Sequence, residues 1–217
     1  TLDEDDRISF ELRTIRNIII KQNSPEDDHS VVFEVFNRLN SGGVNLKPQE
    51  IRTSLFHSGF YDMLYRINLD ETWRSHTPSE IPDLNMKDIE ILLRGFAMLI
   101  DGENYKPSMT KFLNKFSYLA KSFPDENIDY LERLFSSFLE KVSSADSKLF
   151  HSRTERFNIS VYEAIFVATC RNAFIRKDLN LPDIDADKVD ELKTDPGFIE
   201  ATQARTSSTK NVSYRIN

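Results

Sequence analysis

The stretch Val31–Leu55 reads V-V-F-E-V-F-N-R-L-N-S-G-G-V-N-L-K-P-Q-E-I-R-T-S-L. Apolar residues recur at helical spacing as far as Leu39, an Asn-Ser-Gly-Gly break follows, and Pro48 opens a second helix. Paired glycines let a backbone approach a ligand closely, and the free N–H groups at a helix start suit an anion such as phosphate. The same pattern is typical of an ordinary connection between two helices, so both interpretations stay open.

The composition predicts a large, mainly helical core. The chain has 217 residues, of which 39% are hydrophobic and sixteen are Phe, enough for one large or two small domains. Six Gly and eight Pro are too few for a turn-rich β-sandwich. Because no apolar run approaches the roughly 18 residues that span a bilayer, we expect no membrane partner.

Cysteine and histidine usage points away from disulfides and metals. The single cysteine, Cys170, cannot form an internal disulfide and suits a reducing compartment, which predicts a cytoplasmic protein. The four histidines are scattered without a metal-ligand spacing, so we predict no metal site. A net charge of −7 argues against a globally basic nucleic-acid-binding protein.

Basic residues nevertheless cluster in two places, the polar connection 148–158 and the tail after Glu200, which contains no further acid. A basic tail beside a loop is suited to phosphates, and it is equally compatible with a solvated chain end. The candidate contacts to DNA or phosphate are Arg153, Arg156, Arg205, Lys210 and Arg215.

The remaining pattern predicts a mainly α fold with a short β segment at its start. Residues 8–20, with the β-branched run Ile18–Ile20, are expected to be extended. Seven to nine helices follow, and the tail from Ala204 is expected to be irregular. Phenylalanines at three- and four-residue spacing indicate bundle packing rather than a ligand site. They include Phe112, Phe116, Phe135 and Phe138.

The block 32–52 resembles the second hallmark of the GmrSD-type N-terminal domain family, ParB-like (sulfiredoxin-like) domains of modification-dependent restriction and phage defence. The family pattern is roughly F-e-r-[IL]-N-x-G-G-x-x-L-x-x-x-E-[IL]-R. This chain supplies Phe36, Arg38, Leu39, Asn40, Gly42, Gly43, Leu46, Glu50, Ile51 and Arg52. The resemblance divides the chain into a partial ParB-like α/β unit, 1–58, and a helical domain, 59–217.

The sequence departs from the family at one important place. The first hallmark, an Asp-Gly-Gln-Gln-Arg loop that carries the nucleotide chemistry, is absent. We therefore expect this chain to be the part of such a domain that follows that loop, and to be inactive alone.

The resemblance also implies site residues. Asn40, Gly42 and Gly43 would shape one wall of a nucleotide pocket, and Arg38 or Arg52 would pair with phosphate. Glu50 would orient Arg52 or cap its helix. For the charged residues, a structural salt bridge is an equally open interpretation.

Two functions follow as hypotheses. The first is one wall of the pocket of an enzyme that binds and hydrolyses GTP or ATP with Mg²⁺, coupled to DNA restriction and to a nuclease domain or subunit. The second is a non-catalytic helical module that binds DNA or a partner protein. No set of residues for an independent enzyme is legible in the sequence.

Overall fold

The computed structural model describes residues 3–14, 19, 30–39, 46–145, 148–152, 154–203 and 206–216. Within those ranges the chain is helical, with twelve α-helices, a single 3₁₀ turn at Gly102–Asn104 and no strand. The helices are α1 (Glu4–Glu11), α2 (Ser30–Leu39), α3 (Pro48–Phe56), α4 (Gly59–Asn68), α5 (Glu71–Ser75), α6 (Lys87–Asp101), α7 (Met109–Ala120), α8 (Asp125–Ser143), α9 (Ile159–Arg176), α10 (Ala186–Thr194), α11 (Pro196–Gln203) and α12 (Thr209–Ile216).

The expected β segment is wrong where it overlaps the described start of the chain. Residues up to Glu11 form α1, which Asp3 caps by accepting a hydrogen bond from the Asp6 backbone N–H at 2.9 Å. Three acidic residues in the first turn stabilise α1, because the positive end of the helix dipole lies there. Arg7 also forms an ion pair with Glu11, one turn further along the helix. These local interactions outweigh the β propensity of Ile8. Ile18 and Ile20 of the isoleucine run, and residues 15–17 before it, lie outside the described residues.

The bundle is organised around α6 and α9, which pack against each other. Both helices bury residues on several faces, as expected for helices at the centre of a globular core. Gly95 of α6 makes the close approach possible, because a Cβ there would lie 2.5 Å from the hydroxyl oxygen of Tyr162 on α9. Helices α4 and α8 pack onto this pair, and α12 packs against α9.

The predicted phenylalanine core is confirmed. Phe112, Phe116, Phe135 and Phe138 are buried in one continuous cluster with aromatic residues of α4, α6 and α9. Most of the ring contacts are edge-to-face or tilted, as for Phe96 against Phe166 at 5.4 Å between centroids. These phenylalanines therefore serve packing.

Helix α3 belongs to the same body as the later helices. It packs against α6 and α7, and its last residue, Phe56, is part of the common core. The C-terminal helix of the N-terminal unit is thus fixed to the helical domain. The division at residue 58 stays a prediction for the residues before α3.

The tail is not irregular as expected, since residues 209–216 form α12. Val212 and Ile216, one turn apart, are buried, and the Asn211 N–H donates to the Ser208 hydroxyl at the helix start. Most residues of this helix are polar, which makes its short apolar stripe hard to recognise in the sequence.

No helix in the described ranges is long and apolar enough to span a membrane. A small irregular hairpin precedes α9, where His151 and Phe157 form an isolated antiparallel bridge. The Asn158 N–H donates to the Phe150 carbonyl at 2.8 Å beside it. This hairpin carries residues of two clefts described below.

Candidate functional site

The glycine break lies between two well-formed helices but is itself not described. Asn40, Gly42 and Gly43 fall within residues 40–45, outside the described residues. Arg38, in the last turn of α2, is exposed, with Nη2 3.6 Å from Glu34 Oε2. The structure therefore places an exposed guanidinium at the end of the helix that leads into the break.

Arg52 occupies a different environment, since its side chain is only 2% exposed. Its Nε donates to Asn114 Oδ1 on α7 at 2.8 Å. Its Nη1 donates to Gln49 Oε1 at 2.7 Å and to Glu90 Oε2 on α6 at 2.9 Å. The guanidinium thus ties α3 to α6 and α7, and it is not presented to solvent as a phosphate ligand would be.

The polar cluster around Arg52 continues into the bundle. The Gln49 amide nitrogen lies 3.5 Å from the Tyr61 hydroxyl, which is 2.9 Å from the Ser117 hydroxyl. Burial raises the pKa of Tyr61, although hydrogen bonds with Ser117 and Gln49 and the charge of Arg52 act in the opposite direction. The phenol is therefore a neutral hydrogen-bonding group, and it links α4 to the first turn of α3 and to α7.

Glu50 caps its own helix. Its Oε2 accepts a hydrogen bond from the Lys47 backbone N–H at 2.7 Å, which satisfies one of the unpaired amides at the start of α3. The hydrogen-bond partners of the Arg52 side chain are Gln49, Glu90 and Asn114, and not Glu50. Of the two roles expected for Glu50, the geometry supplies the capping role.

A cleft of about 430 Å³ opens at the start of α3, a size within the range of small-molecule sites. Its walls come from the beginnings of three helices. They are Lys47, Pro48 and Gln49 at α3, Asn85, Lys87, Glu90 and Ile91 at α6, and Phe157 and Ile159 at α9. We call it the α3–α6 cleft. It adjoins, along the chain, the segment that holds the glycine break.

The chemistry of the α3–α6 cleft is largely apolar with two cations at its rim. Pro48, Ile91 and Phe157 supply apolar surface. The ammonium groups of Lys47 and Lys87 belong to exposed side chains, and neither forms an ion pair with another described residue. An organic anion would find both an apolar wall and positive charge here.

The helix ends around this cleft add little further positive charge, because they are already capped. Asp83 Oδ1 accepts from the backbone N–H groups of Asn85 and Lys87 at 2.8 and 3.3 Å, and Glu50 caps α3. Each carboxylate offsets the positive end of its helix dipole. The two lysines, and not the helix ends, therefore carry the attraction for an anion.

Sequence reasoning missed this cleft. It proposed Glu50 and Arg52 as site residues, neither of which lines the cleft, and it did not propose Lys47, Lys87 or Phe157. These residues are 40 to 110 positions apart in the chain, and only the packing of α3, α6 and the hairpin brings them together. The sequence signal available was the lysine next to each helix start.

Arg215, one of the expected contacts to DNA or phosphate, is buried, since it is only 4% exposed. Its Nη1 donates to the carbonyls of Ala201 and Thr206 at 2.9 and 2.7 Å. Its Nη2 lies 3.7 Å from Glu163 Oε2, and Glu163 also accepts from Arg94 Nε at 2.5 Å. Burial lowers the pKa of Arg215, and Glu163 acts against that shift. Arg215 fixes α12 to the bundle.

The other basic candidates are dispersed. Arg156 and Lys210 are exposed, the first in the hairpin before α9 and the second on α12. Arg153 and Arg205 lie outside the described residues. No group of three or more His, Cys, Asp or Glu that could hold a metal ion is found in the described part of the chain.

Comparisons with known proteins returned no match, since neither a family model, nor a curated protein, nor a solved structure proved similar to this chain.

Proposed function

We propose that this chain contributes one wall of a nucleotide pocket and a helical domain to a protein of modification-dependent DNA restriction or phage defence. The observation that carries the proposal is the α3–α6 cleft, which has nucleotide size, apolar walls and two lysines without ion pairs. It lies directly after the Asn-Ser-Gly-Gly break in the chain. The family resemblance of that break supplies the restriction and defence context.

Within this proposal, different residues contact different parts of the nucleotide. Phe157 and Ile91 contact the base or sugar, and Lys47 and Lys87 attract the phosphates. Arg38, exposed at the end of α2, is placed for a further phosphate contact. Arg52 is a positioning residue, because it fixes α3 against α6 and so sets the distance between the two lysines.

Hydrolysis requires groups that the described residues do not assemble. The carboxylates nearest the cleft are engaged, Glu90 with Arg52 and Glu50 with the start of α3. Since Mg²⁺ at nucleotide sites is held largely by phosphates with one or two carboxylates, the metal would arrive with GTP or ATP. The proposal assigns the catalytic wall and any DNA cleavage to another segment or subunit.

Isothermal titration of the intact protein with GTP and ATP in the presence of Mg²⁺ tests the proposal. The double variant Lys47→Ala/Lys87→Ala is expected to weaken binding by roughly tenfold or more, because it removes both cations at the rim. A matched control is Lys106→Ala/Lys121→Ala, which removes two exposed lysines that do not line the cleft. Absence of binding by both nucleotides, or equal binding by the two double variants, would refute it.

The alternative function is a non-catalytic module that binds DNA or a partner protein. The exposed apolar residues of α1 favour a protein partner, since Phe10 is 72% exposed and no residue of that helix is buried. DNA binding measured against salt separates the two kinds of partner. Phosphate contacts give a steep loss of affinity with rising salt, whereas a module for protein partners shows no such DNA binding.

A further inference from the structure

A second cleft also borders the hairpin that precedes α9. It has a volume of about 450 Å³ and is bounded by the hairpin, by the start of α9 and by the α10–α11 corner. We call it the α10–α11 cleft. None of its lining residues also lines the α3–α6 cleft, so the two are separate.

The floor of the α10–α11 cleft is apolar. Val161 of α9 and Phe198 of α11 are buried at 2% exposure each, and the half-buried Ile199 lies beside them. Because Val161 and Phe198 are almost fully covered, the half-buried Ile199 supplies most of the apolar surface open to a ligand. Such a surface favours an organic group over a bare inorganic ion.

The rim carries hydrogen-bond donors. Ser152 and Thr154 hold their hydroxyl oxygens 2.9 Å apart. The Asn158 side-chain oxygen accepts from the Ser160 N–H at 2.9 Å, which leaves the amide nitrogen as a donor. Thr202 adds a further hydroxyl, although this O–H already donates to the Ile199 carbonyl at 3.0 Å.

Among the described residues that line this cleft, Lys193 is the one charged side chain. Its Nζ donates to the Lys148 carbonyl at 3.3 Å and forms no ion pair with any described residue. None of the described lining residues carries a carboxylate, in a chain with 35 acidic and 28 basic residues. Asp195 at the α10–α11 corner is engaged elsewhere, since its Oδ1 accepts from the Phe198 N–H at 2.6 Å and the Tyr214 hydroxyl at 3.0 Å.

Acidic residues limit the site on one side. A neighbouring depression shares Ser152 and Lys193 with the cleft and contains Glu155 and Asp190. Glu155 is paired with Lys148, with 3.0 Å between its Oε1 and Nζ. These acids disfavour an anion that extends along the hairpin and favour one held between Lys193 and the two hydroxyls.

We propose that the α10–α11 cleft binds a phosphomonoester carried on an apolar ring system, such as a nucleoside monophosphate. Ser152 and Thr154 share one hydrogen bond, which leaves one hydroxyl proton for a ligand. Together with the ammonium of Lys193 and the Asn158 amide, it supplies more donors than the two oxygens of a carboxylate require. They match the three terminal oxygens of a phosphomonoester. The apolar floor takes the ring. The same chemistry is offered by a free nucleotide and by the phosphorylated 5′ end of a DNA strand.

Titration calorimetry with thymidine 5′-monophosphate tests the site directly. Thymidine and inorganic phosphate, each lacking one half of the ligand, are expected to bind roughly tenfold more weakly or worse. Lys193→Gln is expected to cause a similar loss for the monophosphate. The matched control Lys188→Gln removes a lysine of the same helix whose side chain is 79% exposed, and it is expected to bind as the wild type does.

Amide chemical-shift mapping with the same ligand separates this cleft from the other. The largest shifts are expected at Ser152, Thr154, Lys193 and Thr202, and they are expected to persist in Lys47→Ala/Lys87→Ala. The amide spectrum of Lys193→Gln also reports whether that variant is folded. Shifts confined to the α3–α6 cleft, equal binding by Lys193→Gln and Lys188→Gln, or equal affinity for inorganic phosphate would each overturn the proposal.

Two single-stranded oligonucleotides of one sequence, with a 5′-phosphate or a 5′-hydroxyl, identify the source of the ligand. Tighter binding of the phosphorylated strand than of the free monophosphate, lost in Lys193→Gln, assigns the cleft to strand ends. Equal binding of the two strands, with the monophosphate still dependent on Lys193, assigns it to a free nucleotide.

Discussion

Arg52 Nη1 on α3 and Glu90 Oε2 on α6 lie 2.9 Å apart, and this contact joins the helix that follows the glycine break to the centre of the bundle. The Arg52 side chain is 2% exposed and that of Glu90 is 33% exposed, so the pair is buried on the arginine side only. The carboxylate reaches the lining of the α3–α6 cleft. The pair therefore couples the stability of the fold to the shape of the proposed site.

Replacing Arg52 with Leu is expected to destabilise the protein by about 2–4 kcal/mol. The change leaves Gln49, Asn114 and Glu90 without their common donor, and buried polar groups without partners are costly. Urea unfolding followed by circular dichroism measures the loss. The more conservative Arg52→Lys is expected to recover only part of it, because an ammonium cannot reproduce the planar arrangement of donors.

Arg38→Ala is the matched control for this prediction. Arg38 is exposed and its nearest carboxylate in α2, that of Glu34, lies 3.6 Å away, so its removal is expected to change stability by less than about 0.5 kcal/mol. If Arg52→Leu were as stable as Arg38→Ala, the buried cluster would not hold α3 in place. A direct contact between Arg52 and a phosphate would then be the better interpretation.

Gly95→Ala is expected to destabilise the protein by about 1–3 kcal/mol, although alanine is the better helix former. The added Cβ would lie 2.5 Å from the Tyr162 hydroxyl oxygen and 2.9 Å from Cζ of that fully buried ring, which has no room to move. Gly59→Ala is the control. Its Cβ would meet only the end of the flexible Ile128 side chain, at 3.2 Å.

The partner change Tyr162→Phe makes this prediction specific. The Tyr162 hydroxyl is buried and has no hydrogen-bond partner among the described residues, so its removal alone is expected to be neutral or stabilising. Tyr162→Phe is also expected to relieve part of the cost of Gly95→Ala. Strict additivity of the two changes in thermal unfolding would show that they do not share this contact.

Periodicity predicted the packing but not the buried charges. The spacing of Phe135 and Phe138 places both on one helix face, and both are buried. The sequence made Arg52 and Arg215 candidate phosphate contacts, with a structural salt bridge left open for Arg52. Their burial depends on acceptors far along the chain, such as Asn114 for Arg52, 62 residues away. The sequence next to each arginine does not contain these distant acceptors, which make its burial possible.

The two clefts could not be predicted for the same reason. Lys47, Lys87 and Phe157 each look ordinary in their own segments, and only the tertiary packing of three helix beginnings makes a cleft of them. At the start of the chain the sequence did contain a helix signal, but our prediction gave more weight to the β-branched residues. The acidic first turn and the Asp3 cap indicate a helix, whereas the β-branched residues suggested a strand.

Stability is expected to fall on acidification through Asp88. Burial alone would raise the pKa of this carboxyl, but hydrogen bonds from Asn68, from the backbone N–H groups of Asp83 and Ile89 and from Arg74 outweigh it and lower the pKa. A folded pKa below the unfolded value of about 3.9 means that the stabilisation is present above that pH and is lost as the pH falls through the folded pKa.

Urea unfolding between pH 7 and pH 2.5 measures this dependence. Asp88→Asn is expected to be less stable at neutral pH, because Arg74 loses its charged partner 2.8 Å away, and to show a flatter acid limb. Asp187→Asn, at an exposed position on α10, is the control and is expected to keep the wild-type acid limb. An acid limb unchanged in Asp88→Asn would mean that other carboxylates cause the loss.

Cys170 is expected to resist alkylation in the native protein and to react only as the protein unfolds. Its side chain is fully buried in α9, and burial raises the pKa of the thiol, so the reactive thiolate is scarce and inaccessible at pH 8. Labelling by iodoacetamide across a urea gradient, quantified by mass spectrometry, is expected to follow the unfolding curve measured by circular dichroism. The protein in concentrated urea supplies the fully reactive reference. Rapid labelling without denaturant would show that α9 opens locally, which would contradict its place at the centre of the bundle.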